Sequence, residues 1–186
     1  MGALASLRGG LRLFPSARFL APAAILALTG CVAPGNGEQP PLSHAAFEGG
    51  VVVAGPDGYC IDRKALRARE GFALLASCLT LSEGTQGIWV EPALMTVTAS
   101  RAGGDAPTAE VLGAALEAEA LLSQKTVDGL AIAHLARGGE AALPGGDPRH
   151  WRGMMRLGDR LLGLAVYAPE GSDVAGRGGE RLIRRL

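Results

Sequence analysis

The chain has 186 residues, 18 basic and 18 acidic side chains, and a hydrophobic share of 48%. That length holds one ordinary domain and leaves no room for a second large one. Zero net charge argues against a general nucleic-acid binder, which draws its affinity from phosphate neutralisation, and the apolar content argues against a wholly disordered chain.

Residues 1–30 contain Arg8, Arg12 and Arg18 and no acid. Residues 19–28 then form an uncharged, mostly apolar run, half the ~20 residues that a bilayer-crossing helix needs. A positive start, a short apolar core and small residues after it make the layout of a secretory signal. The run ends in Leu28-Thr29-Gly30-Cys31, which resembles the lipobox of bacterial lipoproteins. The resemblance implies a diacylglycerol on the Cys31 thiol, cleavage that leaves Cys31 first, and further acyl lipid there. One acyl chain anchors only marginally, whereas two or three hold stably. Val32 stands where an Asp would signal inner-membrane retention, so the resemblance implies an outer-membrane lipoprotein facing the periplasm. More broadly, the chain is similar to small uncharacterised proteobacterial lipoproteins. The alternatives are an ordinary cleaved signal with an incidental Cys31 and an uncleaved anchor.

Loss of 1–30 removes three arginines and no acid, leaving 156 residues and moving the net charge from zero to −3. With Cys31 taken by lipid, Cys60 and Cys78 remain. An even pair in an oxidising compartment reads as a disulfide, with two buried thiols as the alternative. Two cysteines are too few for an iron–sulfur cluster, and no C-x-x-C redox motif occurs.

In the mature chain, residues 31–45 carry three prolines and read as a flexible tether, so the domain is assigned to 46–186. Val51-Val52-Val53 reads as a short strand stopped by the turn Gly55-Pro56-Asp57-Gly58. Residues 63–70 are charged and fit one helical turn or a loop. Residues 72–81 are apolar on both alternating sets, which predicts a central strand covered on both sides. Residues 88–99 read as another strand, bent near Pro92. Residues 105–125 give the strongest helix pattern: Asp105 or Thr108 caps it, and Val111, Ala115, Ala118 and Leu122 form its buried stripe. Residues 129–137 fit a strand or a short helix, and the glycines on either side favour the strand. Leu157-Gly158-Asp159-Arg160 is a two-residue hairpin that pairs 157 with 160. Its register puts Trp151, Gly153, Met155, Leu157, Leu162, Leu164 and Val166 on the core face. His150, Arg152, Met154, Arg156, Leu161, Ala165 and Tyr167 fall on the other, mixed face. Ser172 caps a terminal helix along which Val174, Gly178, Leu182 and Leu186 align.

This order predicts an α+β fold: one small antiparallel sheet with a central amphipathic helix and a C-terminal helix packed on it. The final hairpin and helix resemble those of PsbP-like small domains, a similarity of element order without a shared motif.

Candidate chemistry is sparse. His44, His134 and His150 lack metal-ligand spacing, and His134 reads as a core histidine, so no metal is expected. Ser77 is not in a nucleophile elbow and reads as a small buried hydroxyl. Asp57 and Asp62 flank Tyr59-Cys60 and read as turn acids. The glycine pairs form no phosphate loop. Charge is uneven: residues 149–186 carry eight arginines against four acids, and 101–148 carry three cations against seven acids. Arg152 and Arg156 beside Tyr167 therefore make a candidate anion or partner site, since guanidinium forks near an aromatic suit phosphate and carboxylate. The bland alternative is a solvated face compensating the acidic segment. The function expected is a non-enzymatic, lipid-anchored envelope protein that binds an envelope partner, or serves as an accessory to an envelope complex. No cofactor beyond the covalent lipid and no nucleic acid is expected. The alternative is a small lipid-anchored hydrolase without a recognisable motif.

Overall fold

A computed structural model describes residues 39–101, 105–116 and 120–186; the expected signal segment and lipobox, Cys31 and the expected helix-stripe residue Ala118 lie outside these ranges. The fold is α+β, a multi-stranded antiparallel sheet with several short helices. Ordered pairing starts before the boundary expected at residue 46. Leu42 exchanges backbone hydrogen bonds with Ile61, and β1 (His44–Ala46) pairs with β2 (Val52–Ala54) as a two-stranded ribbon. The reason is burial: Ala45, Phe47, Val51 and Val53 all join the main core.

The main sheet has seven strands rather than a few. β3 (Tyr59–Ile61) pairs with β4 (Phe72–Ser77), and β4 with β5 (Leu94–Arg101). The expected strand through residue 81 stops at Ser77, because β3 offers no partner beyond Tyr59. The chain continues instead as one helical turn, α1 (Cys78–Leu81). β4 is also not covered on both sides: Ala73, Leu75 and Ser77 are buried while Phe72, Leu74 and Ala76 are half-buried. Cys60 and Cys78 are disulfide-bonded, with Cα atoms 4.9 Å apart, tying β3 to the start of α1.

The long central helix does not exist. Thr108 does cap a helix, accepting from the Val111 N–H at 3.4 Å, but α2 (Ala109–Ala115) lasts seven residues. The rest of the predicted stretch contributes β6 (Leu121–Val127), which turns through Asp128-Gly129 into β7 (Leu130–Leu135). Two stripe residues, Val111 and Leu122, are 60% and 52% exposed. Leu112 is buried instead, against Ala131 and Ala133. The turn explains the correction. Asp128 and Gly129 both have positive φ, 51° and 79°, the geometry of the hairpin loop that aspartate–glycine pairs favour.

After α3 (Gly139–Ala142), β8 (His150–Leu157) and β9 (Arg160–Tyr167) form the expected hairpin. Leu157 pairs with Arg160 and Trp151 with Val166, but Leu157, expected on the core face, is 48% exposed because it sits at the hairpin end beyond the core. Gly158 takes φ +60°, the left-handed region that glycine enters with no Cβ penalty. Strand order across the sheet is β3-β4-β5-β9-β8-β7-β6. Ser172 caps a 3₁₀ turn, Asp173–Ala175, and α4 (Arg177–Ile183) follows, packed on β8 and β9 with Ile183 fully buried. Both faces of the β7–β8–β9 region are covered. The Trp151 face lies under α4, and on the opposite face Ala131, Ala133 and Ala165 have no exposed surface.

Candidate functional site

Strand alternation decides which side chains can meet here. Along β7, Leu130, Ile132 and His134 share one face and Ala131, Ala133 and Leu135 the other. The pairing of Ala133 with Arg152 and of Arg152 with Ala165 carries that second face across β8 to β9. Small side chains leave room above it.

At the start of β8 on this face, His150 is 4% exposed and stacks on Tyr167, with ring centroids 5.3 Å apart. Arg152, two residues on, places its guanidinium carbon 5.6 Å from the centre of the Tyr167 ring. That arrangement is a cation–π contact. The Arg152 Nε is buried and has no hydrogen-bond partner among the described residues. Burial pushes the His150 imidazole below its ordinary pKa, and the Arg152 cation adds to the effect. His150 is therefore neutral near pH 7.

His150 and Arg152 form one wall of a cleft of about 510 Å³. Leu116, Leu135, Arg137 and Glu140 supply other walls. Glu140 Oε2 accepts the Gly138 N–H at 3.0 Å, which fixes the carboxylate beside the first turn of α3. The loop that leads into β8 is held by Asp147, 4% exposed, which accepts from the Arg149 backbone and from its Nε and Nη2 at 2.8–3.0 Å. Asp147 also accepts the Gly171 N–H at 3.2 Å. These bonds, led by those from Arg149, hold the Asp147 carboxyl well below the usual carboxylate range. The result is a fixed loop delivering His150 to the cleft.

Of the three residues expected to form an anion site, the fold brings together Arg152 and Tyr167. Arg156 stands apart. It lies four residues along β8, about 13 Å away at ~3.3 Å per residue, and its Nε donates to the Gly158 carbonyl at 3.0 Å. Tyr167 is 6% exposed, so it supports the arginine from below instead of presenting an open aromatic face. Sequence reasoning missed the role of His150, although the hairpin register already put it on the face of Arg152 and Tyr167. Arg137 and Glu140 had no readable signal, being brought in by the loop after β7.

On the opposite face His134 and Trp151 stack in parallel, with centroids 4.2 Å apart. His134 Nε2 lies 2.8 Å from the Ala175 carbonyl, and Trp151 Nε1 donates to the Gly176 carbonyl at 2.8 Å. Burial lowers the His134 pKa, so the neutral ring carries its proton on Nε2 and donates. This pair fastens the 3₁₀ turn to the sheet. Asp62 accepts the Lys64 N–H at 2.8 Å within a turn, and Ser77 is buried. Among the described residues no group of three or more His, Cys, Asp or Glu is placed to hold a metal ion. Nor is any helix among them long and apolar enough to cross a membrane.

No family model matches the chain, and no curated protein matches it. Among solved structures, a single-substitution mutant of the protein Mog1 is similar at a TM-score of 0.42 and 10% identity, over 75% of this chain and 84% of that chain. A likeness at that level assigns neither a family nor an activity.

Proposed function

We propose that this protein is a lipid-anchored envelope protein whose periplasmic domain binds, without catalysis, an anionic group of an envelope partner in the β7–β8 cleft. The observation that carries the reading is Arg152: a buried Nε–H without an acceptor among the described residues, on a guanidinium braced by Tyr167 at the wall of a cleft. A buried donor left unpaired costs roughly 1–3 kcal/mol, and a carboxylate or phosphate oxygen would recover it with a charge-assisted bond. Arg152 and neutral His150 line the cleft together with Glu140, and His150 adds a donor or acceptor. Among the described lining residues none is a hydroxyl or thiol nucleophile, so the cleft is suited to holding an anion more than to attacking a substrate. The lipobox resemblance at Cys31 supports the anchor.

Two measurements test the reading. Mass analysis of the mature chain should find Cys31 acylated at the new N-terminus, and Cys31→Ser should release the protein from the membrane fraction. Titration with inorganic phosphate and with acetate should shift the Arg152 Nε–H resonance, and Arg152→Gln should abolish saturable binding while keeping the fold. An unmoved resonance at saturating phosphate and acetate sinks the anion reading.

A further inference from the structure

The disulfide corner carries a second surface that the cleft does not use. Ile88 and Trp89 are 61% and 73% exposed, side by side on the loop between α1 and β5. That loop is not loosely held. Ser82 Oγ accepts the Gln86 N–H at 2.9 Å, Thr85 Oγ1 donates to the Ser82 carbonyl at 2.7 Å, and the Gly84 N–H donates to the Leu79 carbonyl at 2.7 Å. Gly87 passes so close to Cys78 that a Cβ there would lie 2.7 Å from the cysteine's own. A well-bonded loop thus presents two large apolar side chains to solvent, which costs free energy unless something covers them.

The described chain begins at the same corner. Gln39, Pro40 and Pro41 share a hollow with Leu81, Ser82 and Gln86, and Arg63 Nη1 donates to Gln39 Oε1 at 3.3 Å. Trp89 is three residues beyond Gln86, so at most about 11 Å further on. Only eight residue steps separate Cys31 from Gln39, a reach of at most about 29 Å. Beside this entry point Arg63, Lys64, Arg67 and Arg69 are all exposed, between Asp62 and Glu70, and Arg69 Nε lies 3.7 Å from Glu48 Oε1. Short reach from an acyl anchor and a protruding tryptophan–isoleucine pair, with long exposed arginine and lysine side chains nearby, match the chemistry of a bilayer interface.

We infer that the Ile88–Trp89 loop and the 63–69 cations dock on the phospholipid surface that carries the Cys31 anchor. The inference rests on the lipoprotein reading above. It also orients the molecule. The sheet order sets β3 and β7 five strands apart, about 24 Å at ~4.8 Å per strand, so the β7–β8 cleft lies at the end of the sheet away from the lipid.

The test uses the full chain, purified with its lipid after mass analysis of Cys31, in vesicles of phosphatidylethanolamine with a minor share of phosphatidylglycerol. The signal of Trp89 is the difference between the natural chain and Trp89→Ser, since buried Trp151 contributes equally to both. Brominated acyl chains should quench that difference signal roughly twofold, as for an interfacial tryptophan. Acylated Cys31 with an unquenched Trp89, still open to aqueous acrylamide, overturns this inference and leaves the anchor standing. Trp89 shielded in native membranes but not in lipid vesicles overturns it in favour of a protein partner. An unacylated Cys31 overturns both readings together.

Discussion

Trp151 and Asp147 are single residues on which separate parts of the fold depend. Trp151 is 5% exposed, touches His134 face to face and satisfies the Gly176 carbonyl, so removing it empties a large site and frees an acceptor. Trp151→Ala should cost about 3–5 kcal/mol in denaturant unfolding. Arg156→Ala, on an exposed side chain at the hairpin end, should stay within about 0.5 kcal/mol. The reverse ranking would mean that the β8 register is wrong by one residue. Asp147 works through charge. Its carboxyl is depressed in the folded state, so its contribution is complete above the unfolded value of about 4 and is lost as pH falls through the folded one. Asp147→Asn should therefore lower stability at pH 7 by ~2 kcal/mol, through weakened bonds to Arg149 and Gly171. Below pH 4 the gap between variant and natural chain should narrow, as read by thermal melts across pH. A gap that stays constant down to pH 2 would show that the bonds do not depend on the charge.

At the scale of elements, legibility followed burial. The β8–β9 hairpin was readable pair for pair because Gly158-Asp159 fixes the turn and one flanking face is strongly apolar. The candidate site followed in part: that register joined Arg152 to Tyr167, and it contained His150 without showing that a second layer covers it. β6 was unreadable for a physical reason. It is an edge strand whose residues 122–126 are all exposed, so it carries no alternation between buried and polar faces. Alanine-rich neighbours, at home in either period, then extended a helical pattern across it. The overlooked signal was Asp128-Gly129, a two-residue turn of the kind recognised thirty residues later. Gly129→Ala tests its importance. A Cβ there meets nothing within 4 Å, so the cost comes only from forcing φ +79° on a side-chain-bearing residue. It should be about 1 kcal/mol, measured by chemical denaturation. A neutral substitution would show that the turn relaxes to another type.

At the scale of the whole molecule, the sheet is two meanders sewn together. β3, β4 and β5 pair in chain order, as do β6, β7, β8 and β9, and one seam between β5 and β9 joins them. Within each meander neighbouring strands are close in sequence, whereas the seam pairs Leu94 with Tyr167 and Met95 with Val166. Met95 is fully buried there. Contacts so distant in sequence form after local ones, because loop closure must be met before they contribute. Met95→Ala should therefore accelerate unfolding with little change in the refolding rate, as resolved by stopped-flow chevrons. Refolding slowed in proportion to the lost stability would instead place the seam in the nucleus.

The seam also matters for a polypeptide delivered N-terminus first, from a ribosome or through a translocation channel. β5 is the last strand of its meander, and its partner is the last strand of the chain. From the emergence of Arg101 until Tyr167 follows, one side of the eight-residue strand Leu94–Arg101 has no native neighbour. Such a bare edge is a template for pairing with other chains. A product truncated before the final hairpin would carry that edge permanently, and would aggregate sooner than it would fold.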